Sequence, residues 1–144
     1  HQLFLGGMFH DIGHTLALRA LSALMIAGKV PRDLPTLAMD ALLERTHLYM
    51  GAEAHRIWNL PAHLSHLCAH HHDQEVPAWV DQQDLHVLRV VSGLNRLAMD
   101  PNDPSHAAET RQSLEALQLD RRQCRTLFEK VLGHRLLVAE MFPA

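Results

Sequence analysis

The chain has 144 residues, enough for one domain with a buried core. Hydrophobic residues make up 47% of it and charged residues 20%, which excludes a disordered chain. The net charge is −3 with histidines neutral, which argues against a nucleic-acid binder. No apolar run reaches the roughly 18 residues that a membrane span needs. Only 5% of residues are aromatic, and Leu and Ala dominate, which favours helices over strands. Cys68 and Cys124 make no disulfide framework and fit a reducing, cytoplasmic compartment. No signal peptide is visible. The chain opens at His1 inside an apolar segment, so it is expected to be an N-terminally incomplete fragment of something longer.

In chain order, residues 2–12 read as the end of an apolar helix that leaves His10 and Asp11 at the edge of the core. Gly13 either ends it or lets the backbone turn. A second helix is expected over 15–28, with Leu16, Leu18, Leu21, Leu24 and Met25 at helical spacing and Gly28 as its stop. Asp33 can cap a helix over 34–45, with Pro35 in its first turn. Thr46 then reads as the cap of another helix, 47–58. Pro61 opens a further helix reaching His70 or His71. Residues 73–80 read as loop, and Asp81 as the cap of a long helix to Met99. Turn-forming residues mark 100–105 as a loop. Two helices follow, 106–118 and 120–141, the second opened by an Asp120/Gln123 capping box. No segment alternates with strand period, so the expected class is all-α, an irregular helical bundle.

Chemistry concentrates in the histidines. His10 beside Asp11 sets an imidazole nitrogen next to a carboxylate, a pair that suits a divalent metal. His47 and Gly51 lie one turn apart, and the glycine leaves room for a metal or another helix. His71, His72 and Asp73 follow at the end of the next helix. A metal site inside a bundle draws ligands from facing helices in this way. Each residue also has a plainer reading. His10 and Asp11 can be a hydrogen-bonded pair at a helix end, and His47 a satisfied core or surface histidine. His71 and His72 alone decide nothing. His63 and His66 read as exposed helix residues, and His14, His86, His106 and His134 gain no role from spacing. Cys68 and Cys124 read as small buried side chains. Arg121, Arg122 and Arg125 read as a solvated face. Trp58 is either a core residue or a surface anchor for a partner.

Four blocks occur in order over about 65 residues. They are Phe9-His10-Asp11-Ile12-Gly13, Glu44-x2-His47-x3-Gly51-Ala52, Trp58-Asn59-Leu60-Pro61 and His71-His72-Asp73. Together they resemble the HDOD output domain, a relative of the HD and HD-GYP phosphohydrolases. The Trp-Asn-Leu-Pro block favours HDOD over HD-GYP. The likeness runs over about residues 3–99 and, more weakly, into the last two helices with Leu117-Gln118-Leu119-Asp120. It implies an all-α fold of the HD type, a single HDOD-like domain over 1–144, and a bacterial signalling or regulatory setting. It also implies that His10, Asp11, His47, His71 and His72 are the metal-ligand candidates. A divalent ion (Fe, Mn, Zn or Mg), weakly held or absent, is the implied cofactor.

The departures from that family pattern bear on activity. Catalytic relatives carry a histidine upstream of the His-Asp pair, and here only His1 precedes it. They carry an aspartate on the later long helix, where this chain offers Ser92, a poor metal ligand, with Asn95 nearby. Many carry a lysine where this chain has His14. No Gly-Tyr-Pro motif follows His72. No catalytic or cofactor-contacting residue is assigned on this basis. The expected function is a cytoplasmic regulatory module with a degenerate HD-type metal site, leaning away from enzyme activity. It would act on other signalling domains or proteins, with no nucleic-acid or membrane partner. The alternative is a metal-dependent phosphohydrolase acting on a nucleotide or cyclic dinucleotide. A pH sensor driven by the 13 histidines is a third reading.

Overall fold

The computed structural model describes residues 2–100 and 107–141. Among them every regular element is helical, as the composition and periodicity predict. The elements are α1 (Gln2–Phe9), α2 (Ile12–Ile26), α3 (Thr36–Ile57), α4 (Ala62–His70), α5 (Gln82–Met99), α6 (Ala107–Ala116) and α7 (Arg121–Met141). Contacts group them into two units, one up to Asp81 and one from Gln82 onward. No helix of the described residues is long and apolar enough to cross a membrane.

In the first unit, α2 packs against α3, α3 against α4, and α1 against α4. Ala17, Leu21, Ala54, Leu64, Leu67 and Cys68 are buried there, together with three histidines, His47, His55 and His71. Two glycines set the approach of the helices. A methyl group on Gly13 would overlap the His47 carbonyl oxygen and lie 2.8 Å from the Gly51 nitrogen. One on Gly51 would lie 2.5 Å from Cys68 Sγ. Here α2 and α3 meet almost backbone to backbone, with the Cys68 side chain of α4 against Gly51, which only residues without a Cβ permit. Gly13 is therefore a packing residue inside the first turn of α2, not the stop of α1.

Helix ends follow local chemistry. The α2 chain stops at Gly28 (φ 68°), with Lys29 N–H donating to Leu24 O at 2.9 Å. The α3 chain stops at Asn59 (φ 53°), with Leu60 N–H donating to His55 O at 2.9 Å. Both are left-handed stops that satisfy carbonyls left over at a helix end. Asn59 is followed by Leu60 and then Pro61, which precedes α4, so the Trp58-Asn59-Leu60-Pro61 block is a stop and a restart.

Three local expectations differ from the fold. Residues 34–45 and 47–58 are not two helices, because α3 runs unbroken from Thr36 to Ile57. The Thr46 hydroxyl donates back to Leu42 O at 2.8 Å instead of capping a new start. Asp33 does not cap α3, which has Pro35 in that place and no side-chain cap. Helix α2 begins at Ile12, so only His10 and Asp11 separate it from α1. Of the loop expected at 100–105, residues 101–105 lie outside the described residues.

In the second unit, α5 packs against α6 and α7. Gly93 lets α6 come close, because a methyl there would overlap the Thr110 side chain. Arg89, nearly buried, pairs through Nε with Glu109 Oε1 at 3.1 Å. The capping box at the start of α7 forms both of its bonds. Gln123 N–H donates to Asp120 Oδ1 at 2.7 Å, and Asp120 N–H donates to Gln123 Oε1 at 2.8 Å.

Candidate metal centre

The corner between α1 and α2 holds His10 and Asp11. A helix that ends leaves its last carbonyls without intrahelical partners. Two of them are taken by side chains from other helices. His55 Nε2–H, from α3, donates to Phe9 O at 3.2 Å. The Cys68 thiol, from α4, donates to His10 O at 3.1 Å. Burial, with the charge of Asp11 adding to it, pushes the Cys68 thiol up to about 12, so it stays a donor. The corner is thus gripped from two sides, which fixes where His10 and Asp11 stand.

Three histidines share one local device. Nδ1–H of His10 donates to Gly7 O at 2.9 Å, that of His47 to Glu44 O at 2.9 Å, and that of His71 to Cys68 O at 2.8 Å. Each acceptor lies three residues earlier on the same helix or its end. A carbonyl only accepts, so Nδ1 carries the hydrogen and Nε2 is left with its lone pair. Histidines that ligate metals are held in this way, by a carbonyl on the far nitrogen.

Those rings then converge on one carboxylate. His71 Nε2 lies 3.3 Å from Asp11 Oδ1. His10 Nε2 lies 3.2 Å from Asp11 Oδ2. The rings of His47 and His71 are 5.6 Å apart, those of His71 and His72 4.1 Å. Asp11, His47, His71 and His72 each offer one ligand atom, and these atoms all lie within 4.8 Å of one another. Four of the five residues singled out in the sequence are therefore brought together. The fifth, His10, stands on the other oxygen of Asp11, outside that four-residue group.

A second group includes two residues that sequence reasoning passed over. His14, Glu44 and His47 also place their ligand atoms within 4.8 Å of one another. The His14 ring stacks on His47, with centroids 3.9 Å apart and planes 13° from parallel. The available signal was spacing. His14 is three residues after Asp11, and Glu44 three before His47, so each shares a helix face with a candidate already chosen. His55, which holds the corner, had no such signal, because its partner is 46 residues away. Trp58 is 48% exposed, with its ring edge-on to Phe9 at 6.4 Å, so it is not a core residue.

The electrostatics favour neutral rings around a charged carboxylate. Burial, then the neighbouring His14 and His71, pushes the His47 pKa down. Burial also pushes His71 down, against the pull of Asp11. For Asp11, burial acts upward, but the facing imidazoles of His10 and His71 outweigh it and hold the carboxyl well below the usual carboxylate range.

Do these residues fit a divalent cation? His71 lies between two acceptors, the Cys68 carbonyl and the Asp11 carboxylate. A neutral ring has one N–H and can serve only one of them. A cation on Nε2 and Oδ1 serves the other. Two ligands at about 2.1 Å from one ion stand roughly 3.0–3.4 Å apart in adjacent positions, and the observed separation is 3.3 Å. His47 Nε2 is buried with no hydrogen-bond partner, a state that costs about 1–3 kcal/mol unless something satisfies it. Three imidazoles and one carboxylate suit zinc, iron or manganese better than magnesium, which prefers oxygen. The donor set fits.

The family model for the HDOD domain matches residues 1–74, a stretch that contains all four converging residues. Searches of curated proteins and of solved structures return no match.

Proposed function

The chain belongs to the HDOD domain family, and from that premise we propose a cytoplasmic bacterial regulatory module that binds a divalent cation at Asp11, His47, His71 and His72 and acts through protein contacts, not hydrolysis. The observation that carries this reading is the convergence of those four residues with the rings of His47 and His71 already turned by their Nδ1 bonds. The family supplies the coarser part, an HD-related regulatory module. The ligand set supplies the finer part.

A divalent cation, when bound, supplies Lewis-acid polarisation to a phosphoryl group in an enzyme, or a cross-link between helices in a module without turnover. The residues favour the second role. Asp11 is the single carboxylate of the four-residue group, so little negative charge is available to balance an ion and orient water beside it. The ligands come from the α1–α2 corner, from α3 and from the end of α4. An ion held by His47, His71 and His72 would therefore tie two segments, α3 and the end of α4, to Asp11 at the corner, and a surface built on α1 to α4 would be held in one arrangement for a partner. Partner choice would then depend on the exposed faces of those helices.

Elemental analysis of protein purified without a histidine tag tests this. At least one zinc, iron or manganese per chain is expected, lost in Asp11→Asn, with no turnover of bis(p-nitrophenyl) phosphate. Turnover that Asp11→Asn abolishes would favour the metal-dependent phosphohydrolase instead. A chain that takes up no metal at all would remove the site.

A further inference from the structure

His14 Nε2 is buried and has no hydrogen-bond partner. It lies 4.0 Å from Glu44 Oε1 and 4.0 Å from Asp11 Oδ1. Both separations exceed a hydrogen bond. Both fall within the roughly 4.2 Å that two ligands on opposite sides of one zinc-sized ion can span. Glu44 Oε2 lies 4.0 Å from His47 Nδ1. His14 is held flat against His47 by stacking, so its nitrogen stays on the side facing the two carboxylates.

We propose a second divalent-cation seat at His14 and Glu44, beside the Asp11–His47–His71–His72 group. This rests on the metal-binding reading given above and extends it to a two-ion centre. The donor chemistry supports it in two ways. Glu44 brings a second carboxylate to a site that otherwise has one, so the charge of a second ion is partly balanced where it would sit. His14 brings an imidazole nitrogen already stripped of water and not engaged elsewhere, so an ion there displaces no hydrogen bond at that nitrogen. Two divalent ions against Asp11 and Glu44 would leave two positive charges. Such a centre would attract an anionic ligand more strongly than a one-ion site could.

The test uses manganese(II) alone, added to chelator-treated, tag-free protein. Bound metal is counted after desalting, and the electron paramagnetic resonance spectrum is recorded. Wild-type protein is expected to hold two ions per chain, with lines broadened by their proximity. Glu44→Gln and His14→Gln are each expected to hold one, with a resolved six-line spectrum. Glu44 is about half exposed, so its substitution leaves the packing intact, and helicity by circular dichroism checks this. A wild-type chain that saturates at one ion, with Glu44→Gln unchanged, overturns the second seat and leaves the first standing. Two ions retained in both variants place the second ion elsewhere and overturn the proposal. No bound ion in wild type overturns this seat and the metal-binding reading together.

Discussion

Alanine at Gly13 asks how strictly the approach of α2 to α3 is set. The new Cβ would overlap the His47 carbonyl oxygen and stand 2.7 Å from its carbon and 2.8 Å from Gly51 N. All of these are backbone atoms inside α3, so no rotamer change relieves the contact, and the helices must separate. Overpacking of this kind costs about 1–3 kcal/mol and sometimes more, and a clash with backbone belongs at the upper end. The helix gains about 0.5–1 kcal/mol from replacing glycine by alanine. The net expectation is a loss of about 2 kcal/mol, a fall of roughly 4–8 °C in Tm for a chain near 150 residues. Gly7→Ala is the matched control. It also lies in a helix, its Cβ would meet nothing within 4 Å, and it should raise stability by about 0.5–1 kcal/mol. Urea melts followed by circular dichroism give both values, and metal content should fall in Gly13→Ala because the displaced carbonyl belongs to His47 itself. Equal stability of Gly13→Ala and wild type would mean that α2 does not approach α3 as described.

Two further outcomes follow from named groups. At pH 8 a thiol reagent should titrate one cysteine in the native chain, Cys124, and a second only after denaturation. Cys68 is fully buried, and burial holds its thiol near 12. Two reactive thiols in the native protein would mean that Cys68 does not donate to the His10 carbonyl. His86, beside Ser113 Oγ at 3.2 Å, has its pKa lowered by burial and then by Arg89. The unfolded chain therefore binds more protons below the ordinary histidine value of 6.5, and stability is complete above that pH and falls as pH drops toward the folded pKa. Thermal melts at pH 7.5 and 5.5 should show a smaller acid loss in His86→Gln than in wild type. Equal losses would assign the acid sensitivity to other groups.

The helical class could be read from the chain because it depends on short spacings, whereas the meeting of distant histidines around Asp11 is what the resemblance to the HDOD family implies and no short spacing gives. A helix repeats every three to four residues, and so do the contacts that place His47 near Glu44 and His71 near Cys68. Thr46 misleads for a physical reason. Its hydroxyl can cap a helix start or bond back to the carbonyl four residues earlier, and only tertiary context decides. Gly51 marks a close approach by its composition alone, but what approaches is Gly13 and Cys68, from two other helices. The Trp58 block carries its information in Asn59, whose left-handed backbone ends α3, and not in the indole, which stays half exposed. His55 could not be singled out at all, since its bond to the Phe9 carbonyl exists only once α1 and α3 are packed.

The corner at His10 and Asp11 is held by contacts that do not use the proposed ligand atoms. His55 and Cys68 satisfy the carbonyls, Gly13 and Gly51 set the helix spacing, and Leu64 and Leu67 are buried on α4. The rings of His47 and His71 are oriented from their far nitrogens. Their Nε2 atoms are therefore set before any ion arrives, and binding need not create the fold as it does in a zinc finger. An ion present at 100 times its dissociation constant then adds about 2.7 kcal/mol by mass action, an increment on a chain that already folds. On the proposed reading a regulatory site would be useful under that condition, because the module would gain or lose its ion while α1 to α4 persist, and what would change for a partner is how firmly those helices are held.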